Sequence, residues 1–215
     1  MHQSNLFGSS RQVQKLALQD AKILHWPECV ASEIADPWFA ELEQKINWQQ
    51  DTITVFAKQH LTPRLSYWVG QEWMTYCYSQ HTMMPNKWTP LLRSIKQRVE
   101  QVCGSTFNSV LLNYYRDGKD SNGWHSDDEP ELGHEPVIAS LSLGAARDFH
   151  LRHKENRQVH KMNLKPGSLL LMSGKTQACW QHHIPKRASA EPRINLTFRT
   201  VFARKNNRRK KRALI

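Results

Sequence analysis

RINLTFRTVF, residues 193–202, alternates without a break: Arg193, Asn195, Thr197 and Arg199 fall on one side of an extended chain, Ile194, Leu196, Phe198 and Thr200 on the other. Such a strand presents two guanidinium groups on one face. On a solvated face they need no explanation. Projecting into an enclosed barrel they need an anion, because a buried unpaired charge carries a heavy desolvation penalty. The strand alone leaves both readings open. A dicarboxylate would suit the second, since guanidinium binds carboxylate through two parallel hydrogen bonds.

Working outward, residues 105–203 hold further short β-like runs, SVLLNYY (109–115), VIASLSL (137–143), RDFHLRH (147–153) and SLLLMS (168–173), separated by Gly, Pro, Asn and Asp clusters. Two helices are expected upstream. In DPWFAELEQKI (36–46), Asp36 reads as the N-cap and Pro37 as the first helical residue, with Trp38, Phe39, Leu42 and Ile46 on one face. In TPLLRSIKQRVEQVCG (89–104), Thr89 caps, Pro90 starts, Leu91, Leu92, Ile95, Val99 and Val102 form the stripe, and Gly104 ends the helix. Helices followed by many strands predict an α+β domain around a small barrel or jelly roll. The expected organisation is a flexible segment over 1–20, one domain over 21–203 and a basic tail over 204–215.

The 215 residues suit one domain with a real core and room for a ligand cavity. No stretch approaches the roughly 20 apolar residues of a membrane span. The start, MHQSNLFGSSRQVQK, lacks the apolar centre of a signal peptide, so a cytoplasmic location and no membrane partner are expected. Cys29, Cys77, Cys103 and Cys179 form no CxxC pair, which argues for reduced thiols rather than a zinc module or disulfide scaffold. Of the formal charge of +11, Arg204 to Arg212 (RKNNRRKKR) supplies seven, leaving +4 for the rest. A solvated tail and a tail attracted to nucleic acid phosphates are both compatible with that distribution.

WHSDDE (124–129) raises a metal question. If the stretch is extended, His125, Asp127 and Glu129 point the same way. In a chain with 11 histidines a His-x-Asp pair is weak by itself. A two-histidine, one-carboxylate iron site, which leaves positions open for cosubstrate and oxygen, needs another histidine. CWQHHIP (179–185) offers His182 and His183, and strand alternation allows only one of them to point inward.

Taken together, LLNYYRDGKDSNGWHSDDEPELG (111–133), GSLLLMSGKTQACWQHHIPK (167–186) and EPRINLTFRTVF (191–202) resemble, in order, spacing and context, the AlkB family of iron(II) and 2-oxoglutarate dependent dioxygenases. The resemblance covers roughly residues 50–203. It implies a double-stranded β-helix (cupin-like jelly-roll) core over about 105–203, behind N-terminal helices and a nucleotide-recognition lid over about 50–85. The family's iron ligands fall on His125, Asp127 and, through the matching Trp180 and Pro185, His182. Its 2-oxoglutarate pocket falls on Asn113, Tyr115 and Arg193, with Asn195 and Arg199 in support, which would give the two guanidinium groups a ligand with two carboxylates.

AlkB-like enzymes oxidise methyl groups on base nitrogens, and an enzyme acting on a base must flip it out or use a single strand. TYCYS (75–79) resembles the segment beside the base pocket, making Tyr76 and Tyr78 aromatic candidates, Tyr78 for stacking on the base. Asp128 and Glu129 correspond to positions near the base. Glu129 could accept from the exocyclic amino group that adenine and cytosine carry and thymine lacks. ITVFAKQHLTPR (53–64) resembles a hairpin that the duplex-acting member pushes into DNA, with Phe56 at its wedge. YWVGQ (67–71) departs from the AWYG segment of the single-strand-acting member, with Val69 in place of tyrosine, which leaves strand preference open. The resemblance thus implies a monomeric DNA demethylase acting on 1-methyladenine and 3-methylcytosine, using iron(II), 2-oxoglutarate and O2 and releasing succinate and formaldehyde. The alternatives are the same chemistry on RNA, a nucleic-acid binding protein without catalysis, and a dioxygenase of small molecules or proteins.

Overall fold

The computed structural model describes residues 12–55, 58–74, 76–78 and 81–203, with the backbone only at 54, 55, 76–78 and 81–83. Its first strands are β1 (Gln14–Leu16) and β2 (Lys22–Trp26), before helix α1 (Ser32–Lys45). Five short strands follow: β3 (Thr52–Val55), β4 (Lys58–Leu61), β5 (Leu65–Val69), β6 (Tyr76–Tyr78) and β7 (His81–Met83). Helix α2 (Pro90–Cys103) leads into β8 (Ser109–Tyr115), β9 (Asn122–His125), β10 (Ile138–Gly144), β11 (Arg147–His153), β12 (Val159–Leu164) and β13 (Leu169–Ser173). A one-turn helix, α3 (Thr176–Cys179), precedes β14 (Trp180–Ile184) and β15 (Arg193–Arg199).

The strands form a seven-stranded sheet in the order β1-β2-β13-β10-β15-β8-β5, a four-stranded sheet in the order β12-β11-β14-β9, and the separate hairpins β3-β4 and β6-β7. Every pairing between these strands is antiparallel. The two large sheets make the mostly β, jelly-roll type of core expected. The expected order of helices first and strands after does not hold, because seven strands precede α2. Those strands are only three to five residues long, and β1 and β4 are polar and mostly exposed, so they carry no long hydrophobic run to announce them. Pairing reaches back to Gln14, inside the segment expected to be flexible, and β5, inside the expected lid range, is an edge of the large sheet.

α2 forms as its sequence dictates. Thr89 accepts a hydrogen bond from the Leu92 amide, Pro90 occupies the first turn, and Gly104 closes the helix at φ 63°, a left-handed conformation that glycine adopts without a Cβ penalty. α1 starts a turn earlier than Asp36 suggests, with Ala31 at the cap and Pro37 inside the helix. Asp36 therefore does not cap it. A proline in the second turn forfeits one backbone hydrogen bond, and the helix is held by packing instead, with Ala35 and Leu42 buried and Trp38 and Phe39 against the core.

Two apolar clusters explain the layering. One, with Leu42, Leu92, Ile95, Val99, Leu141, Ile194, Leu196 and Phe198, fills the space between the helices and the large sheet. The other, with Ile23, Leu111, Tyr115, Phe149, Leu151, Met172, Trp180 and Ile184, fills the space between the sheets. β15 thus lies between the two, and all seven of its residues are buried. Its apolar side faces the helices, so Arg193, Asn195, Thr197 and Arg199 face the inter-sheet space rather than solvent.

Candidate active site

The inward face of β15 meets three other strands through register. Arg193 lies opposite Tyr115 and Asn195 opposite Asn113 on β8, while Ser140 and Ser142 come from β10 on the other side. Across the gap, β14 sets His182 directly opposite His125 at the end of β9, and Leu151 on its other side. One cavity is lined by Asn113, Tyr115, His125, Asp127, His182, Arg193, Asn195 and Arg199.

His125, Asp127 and His182 each offer a ligand atom within 4.8 Å of the other two. His125 Nδ1 lies 2.8 Å from the Gly123 carbonyl, a contact that places the proton on Nδ1 and leaves Nε2, approached by Asn122 Nδ2 at 3.3 Å, as the nitrogen with the lone pair. The His182 ring stacks on Phe149 with centroids 5.3 Å apart, and burial, followed by the His125 charge, pushes its pKa down to about 3, so it is neutral and ligand-competent at ordinary pH. The neighbouring His183 faces outward, stacked on Trp124 at 3.9 Å and 3.0 Å from the His150 ring nitrogen.

Asp127 is 1% exposed, and its backbone amide donates to Gln177 Oε1 at 2.9 Å. Burial alone would raise its pKa. The Arg199 guanidinium, with Nη2 3.0 Å from Oδ1, and the two histidines overcome that and hold the carboxyl at about 2. Arg199 therefore sits against the carboxylate of the triad, in the same cavity as the other residues expected to meet the cosubstrate. Two imidazoles and a carboxylate are the donor set suited to non-haem iron(II).

Arg193 is 1% exposed. Its Nη2 donates to Ser142 Oγ at 2.9 Å, its Cζ lies 5.3 Å from the Tyr115 ring centroid, and Nε and Nη1 make no well-formed hydrogen bond among the described residues. Burial lowers its pKa to about 10, which still leaves the group charged at neutral pH. A buried cation with two guanidinium nitrogens outside well-formed hydrogen bonds fits a carboxylate ligand. Asn195 Nδ2 donates to Ser140 Oγ and the Leu141 carbonyl at 2.8 and 3.0 Å, and Asn113 Oδ1 accepts from Arg64 Nε at 2.8 Å.

Extended strand ends at His125, and Asp128 is exposed and pairs with Lys154 at 3.2 Å. Glu129 immediately precedes a one-turn 3₁₀-helix (Pro130–Leu132), and neither it nor Asp128 lines the cavity. Phe56 and the side chains of Tyr76 and Tyr78 lie outside the described residues.

Sequence reasoning missed five buried contributors. Ser140 and Ser142 were legible in principle, since they alternate with leucines in VIASLSL. Arg64 and Gln177 carry no local pattern. The fifth, Arg147, is fully buried and donates to the carbonyls of Asp117, Asp120 and Pro185, tying together loops that flank β8 and β14.

This combination of sheets and donor set has a family counterpart: residues 22–199 match the 2OG-Fe(II) oxygenase superfamily, and the chain belongs to it. Membership implies iron(II), 2-oxoglutarate and O2 as the working set. More particularly, the chain is 45% identical to human "Alpha-ketoglutarate-dependent dioxygenase alkB homolog 3" over 193 residues, covering 85% of this chain and 67% of that protein. It is 42% identical to mouse "DNA oxidative demethylase ALKBH2", covering 80% of this chain and 77% of that protein. The chain thus spans about two thirds of the alkB homolog 3 relatives, 65% in the rat protein. A solved structure described as "The structure of OsALKBH1" shares the fold with a TM-score of 0.63 at 15% identity, over 88% of this chain and all of the other. No helix among the described residues is long and apolar enough to cross a membrane.

Proposed function

We propose that this protein is an oxidative demethylase of N-alkylated bases in DNA, acting as a monomer on 1-methyladenine and 3-methylcytosine. The observation that carries the reading is the convergence, in one cavity, of a two-histidine and carboxylate triad with a buried arginine. Similarity to proteins named as alkB dioxygenase and DNA oxidative demethylase supports the choice of DNA bases as substrate.

In this reading His125, Asp127 and His182 would hold the iron(II), and Arg193, with Asn113, Tyr115, Asn195 and Arg199, would hold 2-oxoglutarate. When bound, metal and cosubstrate supply an oxidant that hydroxylates an N-methyl carbon, leading to succinate, carbon dioxide, formaldehyde and the repaired base. The chain's own work is to bind, orient and shield. Arg199 keeps Asp127 ionised, and the His125 contact to Gly123 fixes a ring tautomer. Leu111, Phe149, Met172 and Ile184 line the cavity with apolar surface that excludes water.

On the substrate side, a base methylated at these positions is cationic and poorly paired, so it leaves the stack at low cost and stacks well on aromatic rings. Tyr78 is the stacking partner in this proposal, Tyr76 its neighbour, Glu129 the acceptor for the exocyclic amine, Asp128 an outer contact, and Phe56 the wedge for a duplex. The test is demethylation of matched DNA and RNA oligonucleotides bearing either lesion, single- and double-stranded, followed by mass spectrometry. Methyl loss is expected on DNA, weakened on these bases in Glu129→Ala and on duplexes in Phe56→Ala. Faster loss from every RNA than from its DNA match would overturn the substrate assignment.

A further inference from the structure

Outside the active site a second group of ligand-type side chains converges. Asp20, His153 and Cys179 each offer one ligand atom within 4.8 Å of the others, and they share no residue with the His125, Asp127 and His182 triad. They come from three elements. Asp20 lies in the turn between β1 and β2, His153 ends β11, and Cys179 ends α3. His153 is 2% exposed, and its Nε2, buried and without a well-formed hydrogen bond among the described residues, lies 3.6 Å from Asp20 Oδ2. Edge-on contact with Trp180, with ring centroids 5.1 Å apart, holds the imidazole in that direction, and Trp180 is itself anchored by donating to the Gln19 carbonyl at 2.8 Å.

We propose that Asp20, His153 and Cys179 form a binding site for a zinc-like divalent cation, with water completing the coordination, that clips the β1-β2 turn to the small sheet. Carboxylate oxygen, imidazole nitrogen and thiolate sulfur are the donors zinc takes, and the sulfur separates this site chemically from the nitrogen and oxygen triad of the active site. Cys179 is a free thiol and loses its proton to the solvent when the cation binds. The imidazole must also rearrange. The amides of Glu155 and Asn156 both point at His153 Nδ1 from 3.3 Å, so the ring proton starts on Nε2; ligation moves it to Nδ1 and turns those two long contacts over to water, which the exposed hairpin can supply. The consequence is structural: a cation that binds only the folded chain stabilises it and fastens an edge hairpin that short strands alone hold weakly.

Cobalt(II) tests this on the full-length, metal-stripped protein, because a thiolate ligand gives a sulfur-to-cobalt charge-transfer absorption that the active-site triad cannot. The expected spectrum shows that absorption, keeps it in His182→Ala, and loses it in Cys179→Ser. Asp20→Asn, at a side chain exposed enough to leave folding intact, should lower cobalt affinity by about tenfold or more. Wild-type protein without the absorption, or the same absorption in Cys179→Ser, would overturn the site.

Discussion

His182 and His183 are adjacent in sequence and opposite in environment. His182 is buried across from His125, whereas His183 lies on the outer face against Trp124. Replacing His182 by alanine should cut 2-oxoglutarate turnover by more than about a hundredfold, and His183→Ala should leave most of it, as measured by succinate release. Arg193→Lys keeps a charge but loses the planar fork, so the KM for 2-oxoglutarate should rise about tenfold or more. The pH response follows from the direction of the His182 shift. Its pKa falls from 6.5 to about 3 on folding, so between those values the unfolded chain binds a proton there that the folded chain does not. Stability of the metal-free protein should therefore decline as pH falls through that window, and thermal melts of His182→Gln should show a shallower decline. At this scale the triad was legible through the ordered motifs that carry the family resemblance, since His-x-Asp alone is weak and strand alternation does not choose between His182 and His183. The pairing of Arg199 with Asp127 was not, since it depends on where a loop residue comes to rest across the cavity from a strand.

At the scale of elements, β15 was the most readable part of the chain, because strict alternation specifies two faces whichever of them is buried. What it could not say is that both are. That required the helices on one side and the small sheet on the other, each supplied by distant sequence. The short strands before α2 were illegible for the converse reason: β1 and β4 are held by pairing, and their residues are mostly exposed. The turn before β13 shows how tightly such packing binds the backbone. Gly167 has φ 71°, its carbonyl accepts from the Val30 amide at 3.0 Å, and a Cβ there would lie 2.0 Å from the Val30 carbonyl oxygen. Gly167→Ala should cost at least about 1–3 kcal/mol of stability, read from urea unfolding.

For the molecule as a whole, the charge is uneven, and seven basic residues of the tail, Arg204 to Arg212, lie beyond the described fold. If the tail binds phosphates, deleting residues 204–215 should weaken DNA binding and reduce the salt slope by about 0.9 for each phosphate that the tail neutralises. An unchanged slope would place the tail outside the complex. The two sheets, by contrast, form one enclosure in which the His125, Asp127 and His182 triad and Arg193, proposed to hold iron(II) and 2-oxoglutarate, depend on each other's placement. The most direct test of that dependence follows succinate and the oligonucleotide methyl group together, in one reaction containing iron(II), ascorbate, 2-oxoglutarate and 1-methyladenine DNA, beside a His182→Ala control. The predicted result is equal release of succinate and loss of methyl, both abolished in the variant. Methyl loss that persists in His182→Ala, or succinate formation that never depends on His182, would contradict it.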